Sequence, residues 1–287
     1  MSVGRLQSRT GNLCRRISRL LGAPEISPRR IRSFLERFPE SSEPMRDEIP
    51  PSSLAVVIPC YGHAEFLNAA LESIANQTRL PDEVVAVNDH SPDQSVAVLE
   101  RQFSRLRELN VRCTLLNNDR NRGQAFSLNR GIADVESKLV MILNDDDYLM
   151  HDAVDTVLDV FKLRAEVVMV GGTSIHFCSD GDLAQFPAIG RTAARSETIP
   201  LHISTPVDVR GYRYYNDLNM THSGCCFLKS VWEKVGGYYP EKGKRLVPFS
   251  DRDFQLRVNA LFPVAVSPVI PFSFWRSGSS VDQGRDS

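Results

Sequence analysis

No stretch of the 287 residues approaches the roughly 18 consecutive apolar residues that a membrane span needs. The N-terminus also lacks the apolar core of a signal peptide, so the expected address is cytoplasmic. Cysteine is scarce and scattered. Cys14, Cys60, Cys113 and Cys178 stand alone, Cys225 and Cys226 are adjacent, and none has the CxxC spacing of a zinc or redox site. Internal repeats are missing, and so is any glycine-rich, lysine- or arginine-bearing loop between Pro59 and Phe66 that could hold a triphosphate. Net charge is only -1, yet it is unevenly spread: nine arginines between Arg5 and Arg37 face only Glu25 and Glu36, which leaves the rest of the chain acidic. An acidic body argues against nucleic-acid binding by the main domain. The basic head remains available for anionic lipid or a protein partner, so the cytoplasmic address extends to peripheral contact with the membrane face.

What is present is an ordinary globular composition, 42% apolar and 24% charged, in a chain long enough to bury a sizeable core. Residues 1–52 read as a basic extension. Leu13, Ile17, Leu20 and Leu21 recur at helical spacing among arginines, Ile31, Phe34, Leu35 and Phe38 suggest a second short helix, and Ser41 to Pro44 and Pro50 to Ser53 read as linker. From Leu54 apolar runs alternate with helical stripes. Strands are predicted at Leu54 to Ile58, Val84 to Val87, Cys113 to Leu116 and Leu139 to Leu143, and helices through Phe66 to Ile74, Val96 to Leu109 and Gln124 to Asp134. This order predicts an α/β fold with a mostly parallel sheet whose ligands bind beyond the carboxyl ends of the strands. After about residue 175 the pattern weakens, glycine, proline and aromatic residues dominate from Phe186 to Tyr215, and a strand is next expected at Gly224 to Leu228, followed by a helix from Lys229.

The expected strand ends carry the polar residues: Pro59 to Gly62, Asn88 to Ser91, and Asn144 with Asp145, Asp146 and Asp147. Three adjacent carboxylates at the end of a strand buried on both faces either repel one another or share a cation. Oxygen ligands suit Mg2+ or Mn2+, which keep positions open for phosphate oxygens. Asp89, at the end of the second strand, can accept a hydrogen bond from a base ring N–H.

These stretches resemble the family 2 glycosyltransferases of the GT-A fold. The matches are Val57 to Tyr61, Ser73-Ile74 with Asn76 to Thr78, Val87 to Asp93, Asn121 to Gly123, Asn129 to Gly131 and Leu143 to Asp147, then Gly224 to Leu228, Gly236 to Tyr238 and Ser250 to Asp253. The resemblance implies a Rossmann-like, mostly parallel sheet flanked by helices, with a loop-rich acceptor-side second half. It divides the chain into the extension 1–52, a catalytic domain 53–276 (nucleotide-sugar half 53–150, acceptor half 151–276) and a tail 277–287. It implies nucleotide binding by Pro59, Tyr61, Asp89 and Asp145, a divalent cation, Mg2+ or Mn2+, at Asp146 and Asp147, and Asp251 as the base that deprotonates the acceptor hydroxyl. Its partners would be a nucleoside-diphosphate sugar and a glycan or lipid-linked acceptor, with inversion at the anomeric carbon, in cell-surface polysaccharide or glycolipid synthesis.

The chain departs from the family pattern at four places. Asn144 stands at the first aspartate of the usual DxD, Ser250 replaces the glutamate before the base, and His90 replaces a glycine; the tail after the last strand offers Arg276, which could meet a phosphate, where relatives often carry a histidine. His222 could sit near the acceptor, and Trp232, Tyr238 and Tyr239 could stack on a sugar or pack in the core. Asp253 and Arg257 fit a stabilising i,i+4 helix pair. Two other readings stay open, a catalytically silent nucleotide-sugar-binding protein and a sugar nucleotidyltransferase.

Overall fold

The computed structural model describes residues 28–38, 53–179, 200–206, 218–240, 246–247 and 249–277. The helix expected through Leu13 to Leu21, the linkers before residue 53, most of Phe186 to Tyr215 and the tail beyond Ser277 lie outside them.

Four apolar runs form the parallel half of the sheet: β1 (Leu54–Cys60), β2 (Glu83–Asn88), β3 (Arg112–Asn117) and β4 (Leu139–Ile142). Every residue of β1, β2 and β4 is buried, as expected for strands covered by helices on both faces. The covering helices are α2 (Ala64–Ala75), α3 (Ser95–Glu108) and α4 (Gln124–Asp134). α2 buries Leu67, Ala70, Leu71 and Ile74, an apolar stripe at 3.6-residue period. β1 pairs with β2 on one side and with β4 on the other, both parallel. The chain therefore runs outward through β2 to β3 and then returns to the opposite side of β1. That reversal opens a crevice at the carboxyl ends of β1 and β4.

Gly131, on α4, shows why the helices sit so close. A β-carbon there would lie 2.8 Å from Val57 Cγ1 and 2.9 Å from Val87 Cγ2, both on stiff, buried, β-branched side chains. Gly131→Ala is expected to lower stability by about 1–3 kcal/mol through overpacking, read as a reduced denaturant midpoint at constant slope. An unchanged midpoint would mean that α4 can shift off the sheet without cost.

Beyond β4 follow β5 (Tyr148–Leu149), α5 (Ala153–Leu163), β6 (Met169–Phe177), β7 (His202–Ser204), β8 (Cys226–Leu228), α6 (Lys229–Val235), α7 (Ser250–Leu261) and β9 (Val264–Arg276). The sheet runs β3-β2-β1-β4-β8-β6-β9-β5, with β7 also on β9. β8 is antiparallel to β4 and β6, while β6 and β9 pair in parallel over nine residue pairs. α5, β5, β6, β7 and β9 were not foreseen, and α7 was read only through the Asp253–Arg257 helix pair. β9 contains Pro268 and Pro271, which speak against a strand. The register explains the exception: Gly172 pairs with Ser267 and Thr173 with Pro271, so three residues of β9 loop out there and one proline sits in that loop.

The first described helix, α1 (Pro28–Leu35), buries Ile31 and Phe34 in the same core as the strands and packs on α7. Arg30 and Arg32 stay exposed on its outer face, and Arg37, just beyond it, donates to the Tyr239 hydroxyl at 3.0 Å.

Candidate active site

The strand ends open into a cleft of about 750 Å³. Of the residues expected in a site, Pro59, Tyr61, Asp89, Asp145, Asp147, His222 and Asp251 line it. Asp146 and Arg276 stand behind the wall, 9% and 5% exposed.

Asp89 is buried at the end of β2. Its Oδ1 accepts from Asn118 Nδ2 at 2.6 Å and from the Arg122 amide at 2.8 Å, and its Oδ2 accepts from the Gly123 amide at 2.7 Å. Three of about four lone-pair directions are thus used to hold the turn into α4. Gly123 takes φ 84 there, a backbone that favours glycine. The fourth direction is left for one more donor. Next door His90 has φ 63, which accounts for the glycine that usually occupies this position.

Asp145 reaches back to the turn after β1. Its Oδ2 accepts from the Tyr61 amide at 2.9 Å, and its Oδ1 lies 2.9 Å from His63 Nδ1. The hydrogen bond to Asp145 raises the His63 pKa; burial opposes it, and the charges of Asp145 and Asp146 add to the rise. Sequence reasoning missed His63. The available signal was a single histidine between the first strand and the first apolar stripe. Burial holds the neighbouring Cys60 thiol protonated and pushes Cys225 up to about 12, so neither is a nucleophile at neutral pH.

Asp147 Oδ2 accepts from Ser223 Oγ at 2.6 Å and Asn144 Nδ2 at 3.2 Å, and its Oδ1 accepts from the Arg276 amide at 2.9 Å. Burial first, and the charge of Asp146 second, push its pKa up to about 7. Asn144 is suited to this neighbour: its Nδ2 donates to Asp147 while its Oδ1 accepts from Gln124 Nε2 at 3.1 Å. An aspartate at 144 would set one carboxylate against another. Arg276 holds the triplet from behind. Its Nε donates to the Asp146 carbonyl at 3.3 Å and its Nη2 to the Tyr148 hydroxyl, and its guanidinium lies 4.0 Å from the Phe66 ring centroid and 4.6 Å from that of Phe177. Arg276 therefore takes protein partners under the triplet.

Among the described residues no group of three histidine, cysteine, aspartate or glutamate side chains forms a cation cage. The donor set still fits Mg2+ or Mn2+, because such a cation is commonly held by one or two carboxylates and completes its shell with substrate phosphates and water.

On the acceptor side, Asp251 lies in the first turn of α7, where the helix dipole favours negative charge. Among the described residues no hydrogen bond is made to its carboxylate. His222 places Nε2 3.1 Å from the Tyr238 hydroxyl; burial lowers its pKa and the charge of Asp251 opposes that. Ser250 Oγ donates to the Tyr239 carbonyl at 3.1 Å, so the residue in the usual glutamate position ties the start of α7 to the preceding loop. Asp253 and Arg257 form the expected i,i+4 pair, 2.8 Å apart and fully buried. Trp232 and Tyr238 belong to a clamp: Asn129 Oδ1 accepts from Trp232 Nε1 at 3.1 Å and from the Tyr238 amide at 2.8 Å. Tyr239 lies with its ring 3.7 Å from the Arg257 guanidinium carbon, so all three pack on protein groups.

Comparison with known proteins bears on the family and the fold. The chain is 27% identical over 154 residues to the succinoglycan biosynthesis protein ExoO of Rhizobium meliloti, covering 51% of this chain and 42% of that protein. It is 25% identical over 185 residues to a glucosyl-dolichyl phosphate glucuronosyltransferase of Haloferax volcanii, covering 63% and 53%. The chain thus spans about half the length of these curated relatives. Its fold is shared with the mannosyltransferase PcManGT of Pyrobaculum calidifontis, solved with GDP-Man and Mn2+, at a TM-score of 0.54 and 18% identity over 88% of this chain and 64% of that one. It is shared also with residues 1–349 of S. aureus TarS, solved with UDP-GlcNAc, at a TM-score of 0.55 and 15% identity over 78% and 58%. Both likenesses bear out the GT-A architecture. The profile described as glycosyl transferase family 2 matches residues 55–230, more than half of the sequence, and the chain belongs to that family.

Proposed function

We propose that the protein is an inverting glycosyltransferase that moves a sugar from a nucleoside-diphosphate donor to an acceptor hydroxyl, in polysaccharide or glycolipid synthesis. The observation that carries this reading is that one cleft is lined by Asp89, by Pro59 to Tyr61 after β1, by Asn144, Asp145 and Asp147, and by Asp251. Pro59 and Tyr61 frame the base and ribose, and the remaining acceptor direction of Asp89 reads the base. The cation is assigned to the acidic triplet at the carboxyl end of β4, with Asp146 as the carboxylate to be tested. When bound, the cation neutralises the charge that grows on the departing diphosphate. Asp251 accepts the proton of the acceptor hydroxyl as its oxygen bonds to the anomeric carbon and the bond to the diphosphate breaks. Two of the four departures from the family pattern are accommodated, Asn144 by Gln124 and Asp147, Ser250 by the Tyr239 carbonyl. The exposed Arg30 and Arg32 on α1 support peripheral contact with an anionic membrane face from the cytoplasmic side. Among the described residues no helix is long and apolar enough to cross a membrane.

Thermal shift with UDP-, GDP- and dTDP-sugars tests the donor reading. One of them should raise the melting point in the presence of Mn2+ or Mg2+, by about 2.7 kcal/mol of stabilisation at one hundred times Kd. Asp146→Ala should remove the metal-dependent part of that shift and leave the ligand-free protein folded, because it takes one charge from a like-charged cluster. Retention of the full metal-dependent shift would reassign the cation to Asp145 or Asp147.

A further inference from the structure

One wall of the cleft takes no part in the donor reading. In a strand, alternate residues face one side, and paired residues of parallel neighbours share that side. β6 and β9 pair Ser174 with Ser273 and His176 with Trp275, and all four line the cleft. The register shifts on either side of Thr173 turn the strands at this wall, a common device beside functional sites. Trp275 is 36% exposed although it faces a cleft, and the His176 ring meets it nearly edge-on, 4.3 Å between centroids at 78°, which fixes the plane of the indole. Ser174 Oγ is buried and has no hydrogen-bond partner among the described residues, whereas Ser273 Oγ already donates to the Ser223 carbonyl at 2.8 Å. A buried hydroxyl left unpaired is costly unless something else completes it.

We propose that this wall is an acceptor subsite for a sugar ring, stacked on Trp275 with one of its hydroxyls bonded to Ser174; this rests on the glycosyltransferase reading above. The chemistry favours a sugar over a bare phosphate or polyol phosphate. A flat indole suits the apolar face of a ring, an orphan hydroxyl suits a ring hydroxyl, and neither strand presents a lysine or arginine to the cleft here. The same cleft contains Asp251, so a hydroxyl of the stacked sugar is delivered to the base.

The test uses the full chain and the nucleotide sugar that protects it in the thermal-shift experiment. Release of nucleoside diphosphate is followed with maltose, lactose, chitobiose or glycerol 1-phosphate as the acceptor. At least one disaccharide should stimulate release while glycerol 1-phosphate does not. Trp275→Ala should raise the KM for that disaccharide by about tenfold or more, the scale of losing a buried apolar contact, with Trp275→Phe falling between. Ser174→Ala should raise the same KM and also raise the ligand-free melting point, since it deletes an unsatisfied buried hydroxyl; a purely structural serine would not move the two in those directions. A KM within about twofold of the natural chain in Trp275→Ala, stimulation by glycerol 1-phosphate alone, or no stimulation by any disaccharide overturns the subsite. Continued protection by the nucleotide sugar in those cases shows that the donor reading stands and the subsite alone has failed. Absence of protection by every nucleotide sugar overturns both.

Discussion

Turnover of Asp251→Asn is expected to fall by about 10²- to 10⁴-fold, the usual contribution of a general base. Asparagine is nearly isosteric and cannot take a proton at neutral pH, so the site keeps its shape and loses one function. Asp251 stands in the cleft wall at the start of α7 and, among the described residues, makes no hydrogen bond to those that hold the turn after β1 or the Asn144–Asp147 loop. Steady-state kinetics should therefore show the loss in kcat, with thermal protection by the nucleotide sugar retained. Near-normal turnover would refute the assignment. Asp253, two residues on, is no substitute, because it is fully buried and both its oxygens are engaged, by Arg257 Nε and the Leu246 amide.

Arg257→Ala is expected to destabilise the fold by about 3–5 kcal/mol, since it strands a buried carboxylate without its partner. The loss reaches beyond one ion pair. Arg257 Nη1 donates to the Val235 carbonyl at 2.8 Å and Nη2 to the Gly237 carbonyl at 2.6 Å, so the guanidinium closes the end of α6 onto α7. Arg257→Lys should recover little of it, because a point charge cannot reproduce a planar fork with three separate acceptors. Denaturant unfolding measures both, and the double variant with Asp253→Ala should cost clearly less than the sum of the two single changes. Additive costs would show that the two side chains act independently.

The parallel half of the fold was legible in the sequence. Its strands are covered on both faces and so appear as unbroken apolar runs, and its helices repeat buried residues at three and four. α4 was read with the ends that the structure gives it, Gln124 to Asp134. Much of the second half was not, and the reasons are local. β9 carries two prolines, tolerated because they stand at a looped-out register shift that only its pairing with β6 defines. β8 and α6 are the exception, read as a strand at Gly224 to Leu228 followed by a helix from Lys229. α1 was legible as an apolar stripe, but its place against α7 was not, because nothing in a basic amphipathic segment says which surface it covers.

The candidate site divides along the same line. Residue type and order alone determined that three strand ends would carry the polar groups, that an acidic triplet would stand at the rim of the sheet, and that Asp253 and Arg257 would pair, since these follow from short-range periodicity. Tertiary structure alone decided what each carboxylate does. Asp89 is largely occupied by a turn 33 and 34 residues away, Asp145 by His63 across 82, and Asp147 by Ser223 and Arg276 across 76 and 129. A carboxylate offers the same oxygens wherever it stands in a sequence; the donors that meet them, and the burial that sets their charge, come from segments that only the closed sheet brings together.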